Sequence, residues 1–319
     1  MSNRLAFKKN ILPFAICYLL LAICCGCQPH PLNRESRLMM GTIVEVVSPD
    51  KRATRIAFDE IERIEGLLSK YKPDSEVSRL NRAGQLTVSP PTLYVLRQAK
   101  RFWAATEGAF DITVGPLMTA WGFSDKNFRL PDKQSIAQAL ESVGFDKVVI
   151  DEQNSRISFS REGMSVDLGA IAKGYAVDCA VEKLKQAGIK SCLISAGGDI
   201  YCLGDKAGKP WNIAIANPRG QGSLGNLQLK GRAVATSGGY QQYFFKQGKR
   251  YSHIFNPQTG YPADSGVVSA TVIAPDCLTA DALATSIFVL GKQQGIRLAK
   301  KFEGVEVKIF EEKDVSYNQ

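Results

Sequence analysis

Histidine is scarce in this chain of 319 residues, which contains only His30 and His253. Four of the eight cysteines lie before residue 28, and the other four show no Cys-x-x-Cys spacing. These shortages exclude an ordinary structural zinc site, which gathers four nitrogen or sulfur ligands. The later cysteines, Cys179, Cys192, Cys202 and Cys277, lie mostly in apolar segments, so we expect buried free thiols rather than disulfides.

Several common motifs are also missing. No Gly-x-Gly-x-x-Gly follows a strand, and the glycines at 169 and 174 are followed by Tyr175 where a phosphate loop needs Lys-Ser/Thr. There is no Gly-x-Ser-x-Gly elbow. No run of five basic residues occurs, although the net charge is +9. The usual nucleotide and dinucleotide folds are therefore not supported, and nucleic acid is not an expected partner.

The first 27 residues have the pattern of an export signal. Arg4, Lys8 and Lys9 precede an apolar run of about fifteen residues at 11–25, which is short for a membrane span and typical of a signal peptide. A small residue directly before Cys27 resembles the bacterial lipobox, in which that cysteine carries the lipid.

Other outcomes for this segment remain open. Cys24 or Cys25 is an alternative lipidation site, because the position three residues before Cys27 is Cys24 rather than leucine. A simple uncleaved anchor or a secretory signal is a further alternative. Cleavage before Cys27 would remove three basic residues and leave a net charge of +6. We expect an exported protein anchored by lipid (palmitate) to the bacterial cell membrane, on the periplasmic side of the inner membrane in a Gram-negative cell.

Residues 28–38 are polar and predict a tether, followed by one domain at 39–319. Apolar spacing predicts helices at about 52–70, 92–106, 133–142, 170–187, 279–290 and 292–302. Strands are predicted at 40–47, 148–150, 157–159, 192–196, 211–216, 226–230, 232–236, 250–255, 267–274 and 305–310. Helices and strands do not alternate regularly, so an α+β fold with mostly antiparallel sheets is favoured over a doubly wound one.

Seven polar clusters, six of which contain glycine, stand out from their apolar surroundings. They are MGT (40–42), GAFDITVGP (108–116), DLGAIAKG (167–174), SAGGD (195–199), ATSGGY (235–240), HIFNPQTG (253–260) and TADALAT (279–285). In this order they resemble the ApbE-type FAD:protein FMN transferases, from about Leu38 to about Gly291. The resemblance implies an α+β fold with a flavin-nucleotide cleft, FAD as substrate, and Mg²⁺ at the pyrophosphate.

The resemblance also implies a metal site. Asp281 and Thr285 are four residues apart on a predicted helix and therefore share a face. A carboxylate and a hydroxyl are hard oxygen ligands that suit Mg²⁺. In the family these positions hold the metal together with a backbone carbonyl that matches Ala170. The alternative from the residues alone is that Asp281 caps its helix and Thr285 packs in the core.

The same resemblance implies the FAD contacts. The matching positions are Met40, Tyr71, Ala109, Phe110, Asp111, Asp167, Lys173, His253 and Ile254. Tyr71 can stack on a ring, and Lys173 can act as a point charge at a phosphate. The alternatives are core packing for Met40 and Phe110 and surface charges for Asp167 and Lys173.

His253 is the one ionisable group of the domain that normally titrates near neutral pH. We predict catalytic roles for His253, as general base or as a residue that positions the phosphate, and for Asp281. The predicted reaction transfers FMN from FAD to a threonine or serine of a target flavoprotein and releases AMP. The resemblance implies acceptors that are flavoprotein subunits of membrane redox complexes. A hydrolase that forms FMN and AMP, and a non-enzymatic FAD-binding lipoprotein, are the alternatives.

Overall fold

The computed structural model describes residues 31–315, so the signal segment and Cys27 lie outside the described residues. The strands are β1 (Asn33–Met39), β2 (Thr42–Ser48), β3 (Gln85–Thr87), β4 (Val148–Asp151), β5 (Arg156–Phe159), β6 (Cys192–Ala196), β7 (Asp199–Leu203), β8 (Trp211–Ala216), β9 (Ser223–Leu229), β10 (Arg232–Gly238), β11 (Tyr243–Lys246), β12 (Lys249–Ser252), β13 (Val267–Ala274) and β14 (Glu306–Glu311). The α-helices are α1 (Arg52–Leu68), α2 (Glu76–Ala83), α3 (Pro90–Ala105), α4 (Gly115–Ala120), α5 (Lys133–Glu141), α6 (Ala172–Gln186), α7 (Cys277–Leu290) and α8 (Lys292–Ala299).

A seven-stranded sheet with the order β1-β2-β6-β7-β10-β13-β14 organises the fold. All of its pairings are antiparallel. Smaller antiparallel sheets are formed by β3-β5-β4, β8-β9 and β11-β12. The predicted α+β class with antiparallel sheets is therefore confirmed.

The helices α1, α6 and α7 cover one face of the large sheet. In α1 the buried residues Ala57, Ile61, Ile64 and Leu68 recur at helical spacing, so a single stripe faces the sheet. In α7 nearly every side chain is buried, because this helix packs against β10 and β13 as well as α6. The polar groups of α7 are therefore held in the interior and need partners there.

Two further apolar clusters complete the packing. The hairpin β8–β9 covers the other face of the sheet, where its Trp211 and Ile213 meet Val234 and Ile273. A separate cluster joins α4 and α5 to the β11–β12 hairpin through Trp121, Phe123 and other aromatic residues. The site described below lies where the end of β10, the first turns of α6 and α7, and the chain after β12 come together.

The first strand differs from the prediction. Residues 28–38 were expected to be a tether, but Asn33–Met39 forms β1 and pairs along its whole length with β2. This strand is mostly exposed on both faces, so it lacks the alternation of apolar and polar residues that reveals a strand in the sequence.

Other predictions concern thiols and membrane spans. Cys179, Cys192, Cys202 and Cys277 are free, which confirms the expectation of unpaired thiols. No helix within residues 31–315 combines the length and the apolar character needed to cross a membrane.

Candidate active site

The start of α7 places the first predicted ligand. Asp276 caps this helix, because its side chain accepts a hydrogen bond from the Thr279 amide at 2.7 Å. Asp178 of α6 accepts two more, from the amides of Cys277 at 2.7 Å and Leu278 at 2.8 Å. Asp281 is thus not the cap of its helix, and the capping alternative is wrong. The α7 N-terminus is held against α6 by these hydrogen bonds.

Asp281 is turned toward the first turn of α6. One of its oxygens accepts a hydrogen bond from the Gly174 amide at 3.1 Å, and both lie 3.4 Å from Lys173 Nζ. One helical turn later, the Thr285 hydroxyl lies 3.0 Å from the Ser237 hydroxyl at the end of β10. Both oxygen groups therefore face other elements of the site rather than solvent.

Lys173 joins three elements through its ammonium group. Its Nζ lies 3.0 Å from the Gly169 carbonyl oxygen, 2.8 Å from Asp199 Oδ2 and 3.4 Å from Asp281. Burial alone would lower the pKa of Lys173, but the two carboxylates raise it well above its usual value. Lys173 is therefore a permanent cation in a largely buried position.

Asp199 follows the glycine turn of the SAGGD cluster and is almost fully buried. Burial, reinforced by the neighbouring carboxylate of Asp281, raises the pKa of Asp199, although the nearby ammonium of Lys173 opposes this effect. Its Oδ2 is close to Lys173 Nζ but receives no well-directed hydrogen bond from any described residue. Two buried carboxylates thus share one cation, and the cluster is short of positive charge.

This cluster fits a divalent ion. No group of three or more His, Cys, Asp or Glu side chains that could hold a metal occurs within residues 31–315. Mg²⁺ does not need such a group, because it keeps several waters and is commonly held by one or two carboxylates together with substrate phosphates. Asp281, Thr285 and Asp199, whose Oδ2 is ion-paired with Lys173, provide hard oxygen atoms of that kind. Ala170 lies in the turn that leads from Leu168 into α6, three residues before Lys173.

A second buried ion pair lies beside the cluster. Lys70 Nζ is 2.6 Å from Asp167 Oδ2, and both side chains are almost hidden from solvent. Asp167 also accepts a hydrogen bond from the Gly169 amide at 2.9 Å. Burial would raise the pKa of Asp167, but Lys70 and the Gly169 amide hold it below its usual value. Asp167 is therefore an ionised acceptor beside the site.

His253 lies close enough to these ions to respond to them electrostatically. Burial lowers its pKa, and the positive charges of Lys173 and Lys70 act in the same direction, while Asp167 opposes them. Its Nδ1 lies 3.0 Å from the Gln242 carbonyl oxygen, which favours the tautomer that carries a proton on Nδ1. The Nε2 atom of the neutral ring is then free to accept a proton.

Of the predicted flavin contacts at 40 and 71, Tyr71 lies next to the Lys70–Asp167 pair and Met40 lies in the β1–β2 turn. Met40 adopts a positive φ of 52° in the β1–β2 turn, and its amide donates to Glu65 at 2.8 Å. Tyr71 is 67% exposed, with Lys70 Nζ 5.0 Å from the centre of its ring. An exposed aromatic ring beside a charged pair offers a face on which another ring system could stack.

Ala109, Phe110 and Asp111 are placed differently. The Phe110 side chain packs in the main core against Phe102, with ring centres 5.8 Å apart. Asp111 is buried and accepts hydrogen bonds from the Thr113 amide and hydroxyl and from the Phe145 amide. Its carboxylate therefore organises its own loop. The Ile254 side chain is likewise buried, directly after His253.

The close approach of α6 and α7 depends on Gly174. A Cβ atom at this position would lie 2.4 Å from the Cys277 carbonyl oxygen and 2.8 Å from Leu278 Cα. Both are backbone atoms that cannot rotate away. Gly197 similarly combines a positive φ of 63° with contact to Thr42, whose hydroxyl would lie 2.5 Å from a Cβ atom.

Lys70, Asp178, Ser237 and Asp199 are site residues for which the sequence pattern predicted no role. Lys70 and Asp167 are 97 residues apart, so no local pattern connects them. Asp199 and Ser237 carried an available signal, because both lie in clusters that stand out in the sequence, SAGGD (195–199) and ATSGGY (235–240).

Comparison with known proteins gives a consistent result. Residues 40–309 match the ApbE family. The chain is 38% identical over 248 residues to the FAD:protein FMN transferase of Haemophilus influenzae, covering 73% of this chain and 71% of that protein. Among solved structures, it is similar to the ApbE protein of Thermotoga maritima, with a TM-score of 0.83 and 35% identity over 89% of this chain and 95% of the other. The flavin transferase ApbE of Vibrio cholerae gives a TM-score of 0.79 and 33% identity, with the same coverage.

Proposed function

This chain belongs to the ApbE family, and we propose that it is an FAD:protein FMN transferase whose chemistry takes place at the Lys173–Asp199–Asp281 cluster. The observation that carries the assignment is this buried cluster, in which two carboxylates and the Thr285 hydroxyl lie beside His253 and the Lys70–Asp167 pair. The relatives that bear the transferase name are at least 33% identical over most of the chain.

The reaction exchanges the phosphoanhydride bond of the FAD pyrophosphate for a phosphate ester to the acceptor. The oxygen of an acceptor threonine or serine attacks the phosphorus on the FMN side of the FAD pyrophosphate. The bond between that phosphorus and the bridging oxygen breaks, AMP leaves with the bridging oxygen, and FMN remains esterified to the protein. The hydroxyl proton passes to Nε2 of His253, which is neutral because burial lowers its pKa.

The charged residues surround the path of this transfer. Mg²⁺ held by Asp281, Thr285 and the Ala170 carbonyl would neutralise the pyrophosphate and stabilise the departing AMP. Lys173 and Lys70 provide two further positive charges toward the phosphates and the flavin. Asp167, kept ionised by Lys70, can accept hydrogen bonds from polar groups of FAD. A pair of unit charges 4 Å apart is worth about 1 kcal/mol in water and about 4 kcal/mol at an effective dielectric of 20, so burial makes these charges more effective.

We also propose the cellular setting. A basic start, an apolar run and Cys27 support export and attachment of lipid at Cys27. The acceptors would then be flavoprotein subunits of redox complexes at the same membrane. Attachment is tested by mass spectrometry of the purified chain, where a lipid mass on Cys27 is expected and an unmodified N-terminal segment would reject it.

The function is tested by incubating the pure chain with FAD and Mg²⁺, with and without peptides that each contain one threonine. We expect the mass of the peptide to increase by that of FMN less one water, located on threonine, with AMP released in equal amount. Rapid AMP release in the absence of any peptide would instead indicate a hydrolase. Binding of FAD without AMP formation under any condition, unchanged by Asp281→Ala, would indicate a flavin-binding protein.

A further inference from the structure

A groove of about 340 Å³ runs beside the site. One of its walls is formed by four successive residues of β12 and none of β11, so it lies on the side of β12 that faces away from its partner strand. The opposite wall is the chain from Tyr261 to Val268. Gly239 and Phe288 also line it, and Phe288 is three residues beyond Thr285 on α7. Ser252, which directly precedes His253 in the chain, lines the groove as well, so the groove runs next to His253.

The hydrogen-bond pattern shows which backbone groups of β12 face this groove. The β11–β12 turn is Gln247-Gly248, and both residues have a positive φ, as in a two-residue hairpin. The residues that flank such a turn, Lys246 and Lys249, form a hydrogen-bonded pair. Hydrogen-bonded and non-hydrogen-bonded pairs then alternate along the hairpin. The His253 amide accordingly donates to the Gln242 carbonyl oxygen at 3.1 Å.

Arg250 and Ser252 have the opposite parity. Their backbone N–H and C=O groups point away from β11 and toward the groove. The next residue of this parity is Ile254, and its carbonyl oxygen accepts a hydrogen bond from the Ala263 amide at 2.8 Å. The protein's own loop thus already pairs with this edge at its inner end, beside His253, and no strand within residues 31–315 pairs with the part at Arg250 and Ser252 except β11 on the other side.

We propose that the acceptor protein binds in this groove as an extended segment that pairs with the outer edge of β12 and presents its hydroxyl to His253. This proposal rests on the transferase function, because only that function requires a second polypeptide at the site. Pairing with an exposed strand edge is a recurrent mode of peptide recognition, in which backbone hydrogen bonds give affinity and side-chain pockets give specificity.

Charge on the β12 wall favours an acceptor segment with an acidic residue there, while Asp264 and Glu312 line other parts of the groove and Glu312 is paired with Arg219. Lys246, Lys249 and Arg250 carry the only charges between residues 240 and 252, and none of them forms an ion pair with another described residue. Arg250 is packed over the Tyr243 ring at 5.5 Å, which holds its guanidinium near the edge.

The test uses a library of peptides with one central threonine and randomised flanks, labelled by the wild-type chain in the presence of FAD and Mg²⁺. Arg250→Pro removes the N–H that faces the groove and should lower transfer to the labelled peptides about tenfold or more. Arg250→Ala keeps this N–H and is expected to have a much smaller effect. Phe245→Pro is the matched control, because Phe245 pairs with Arg250 and its N–H points to the far side of the hairpin.

Two further measurements complete the design. FAD binding, followed by flavin fluorescence, should be the same in all four proteins. On addition of a labelled peptide, amide hydrogen exchange should slow at residues 249–252 but not at 243–246. Equal transfer by Arg250→Pro and Phe245→Pro, or an equally large loss in Arg250→Ala, would overturn the proposed edge pairing.

Other occupants give distinct results. A dimer of the wild-type chain in sedimentation analysis that is lost in Arg250→Pro would mean that a second copy fills the groove. Binding of anionic phospholipid vesicles that is lost in Arg250→Pro, with transfer unchanged, would assign the hairpin to the membrane. A wild-type chain that binds FAD but labels no peptide and no protein would reject the transferase function itself.

Discussion

Gly174→Ala is expected to damage the protein although alanine is ordinarily the better helix residue. In an open helix this change would stabilise the fold by about 1 kcal/mol. Here the new Cβ would lie 2.4, 2.7 and 2.8 Å from three backbone atoms of Cys277 and Leu278. Overpacking of this kind costs about 1–3 kcal/mol, so after the gain of about 1 kcal/mol we expect a net loss of up to about 2 kcal/mol.

The larger effect should be on turnover. Separation of α6 from α7 lengthens the hydrogen bond from the Gly174 amide to Asp281, which is 3.1 Å in the folded protein. A displacement of 1 Å at a catalytic group costs on the order of 100-fold in rate. We therefore expect kcat for FMN transfer to fall about 100-fold, while far more than half of the protein remains folded.

Gly66→Ala is the matched control. Gly66 also lies in a helix, α1, but a Cβ atom there has no neighbour within 4 Å. Urea unfolding should show this variant to be as stable as the wild type or more so, with full transfer activity. If Gly174→Ala behaves like Gly66→Ala in both assays, the contact between the two helix ends does not set the geometry of the site.

The remaining predictions concern charge and the metal. Lys70→Met should destabilise the fold by about 3 kcal/mol at neutral pH, because Asp167 is left buried and ionised; urea unfolding at pH 7 measures this, and a loss below 1 kcal/mol would contradict it. Asp281→Asn and Thr285→Ala should abolish transfer and weaken Mg²⁺ binding in calorimetry while circular dichroism stays unchanged; activity retained in both removes them as ligands. The acid limb of the kcat–pH profile should lie below pH ~6.5, because the pKa of His253 is lowered, and His253→Ala should lose that limb and most of the rate. Since His253 is protonated more readily in the unfolded chain, its contribution to stability is present above pH ~6.5 and is lost as the pH falls.

The sequence predicts helices and strands well where they are buried against the core. Apolar spacing located α1, α3 and α7 to within three residues, because each turns a stripe or a whole surface toward the core. Strand β1 was missed because both of its faces are exposed at the edge of the sheet. The short helix α4 was missed because six residues are too few to establish a period.

The site was predictable only in part, because some of its residues are brought together by the fold and leave no local pattern in the sequence. Residues inside the seven clusters, such as Lys173 and Asp281, were found because glycines and polar residues stand out in apolar surroundings. Lys70 lies outside every cluster. Its role depends on the ion pair with Asp167, which is 97 residues away in the sequence. The edge of β12 is formed by backbone groups, so side-chain identity carries no signal for it.

The ammonium group of Lys173 has one more consequence. It supplies an internal counter-ion to Asp199 and Asp281, so withdrawal of the divalent ion would leave these carboxylates partly neutralised rather than facing each other alone. Small zinc domains lack such a substitute and unfold when a chelator is added. In this protein a chelator should stop catalysis without melting the fold, and the supply of magnesium would then act as a reversible control on an enzyme that stays intact.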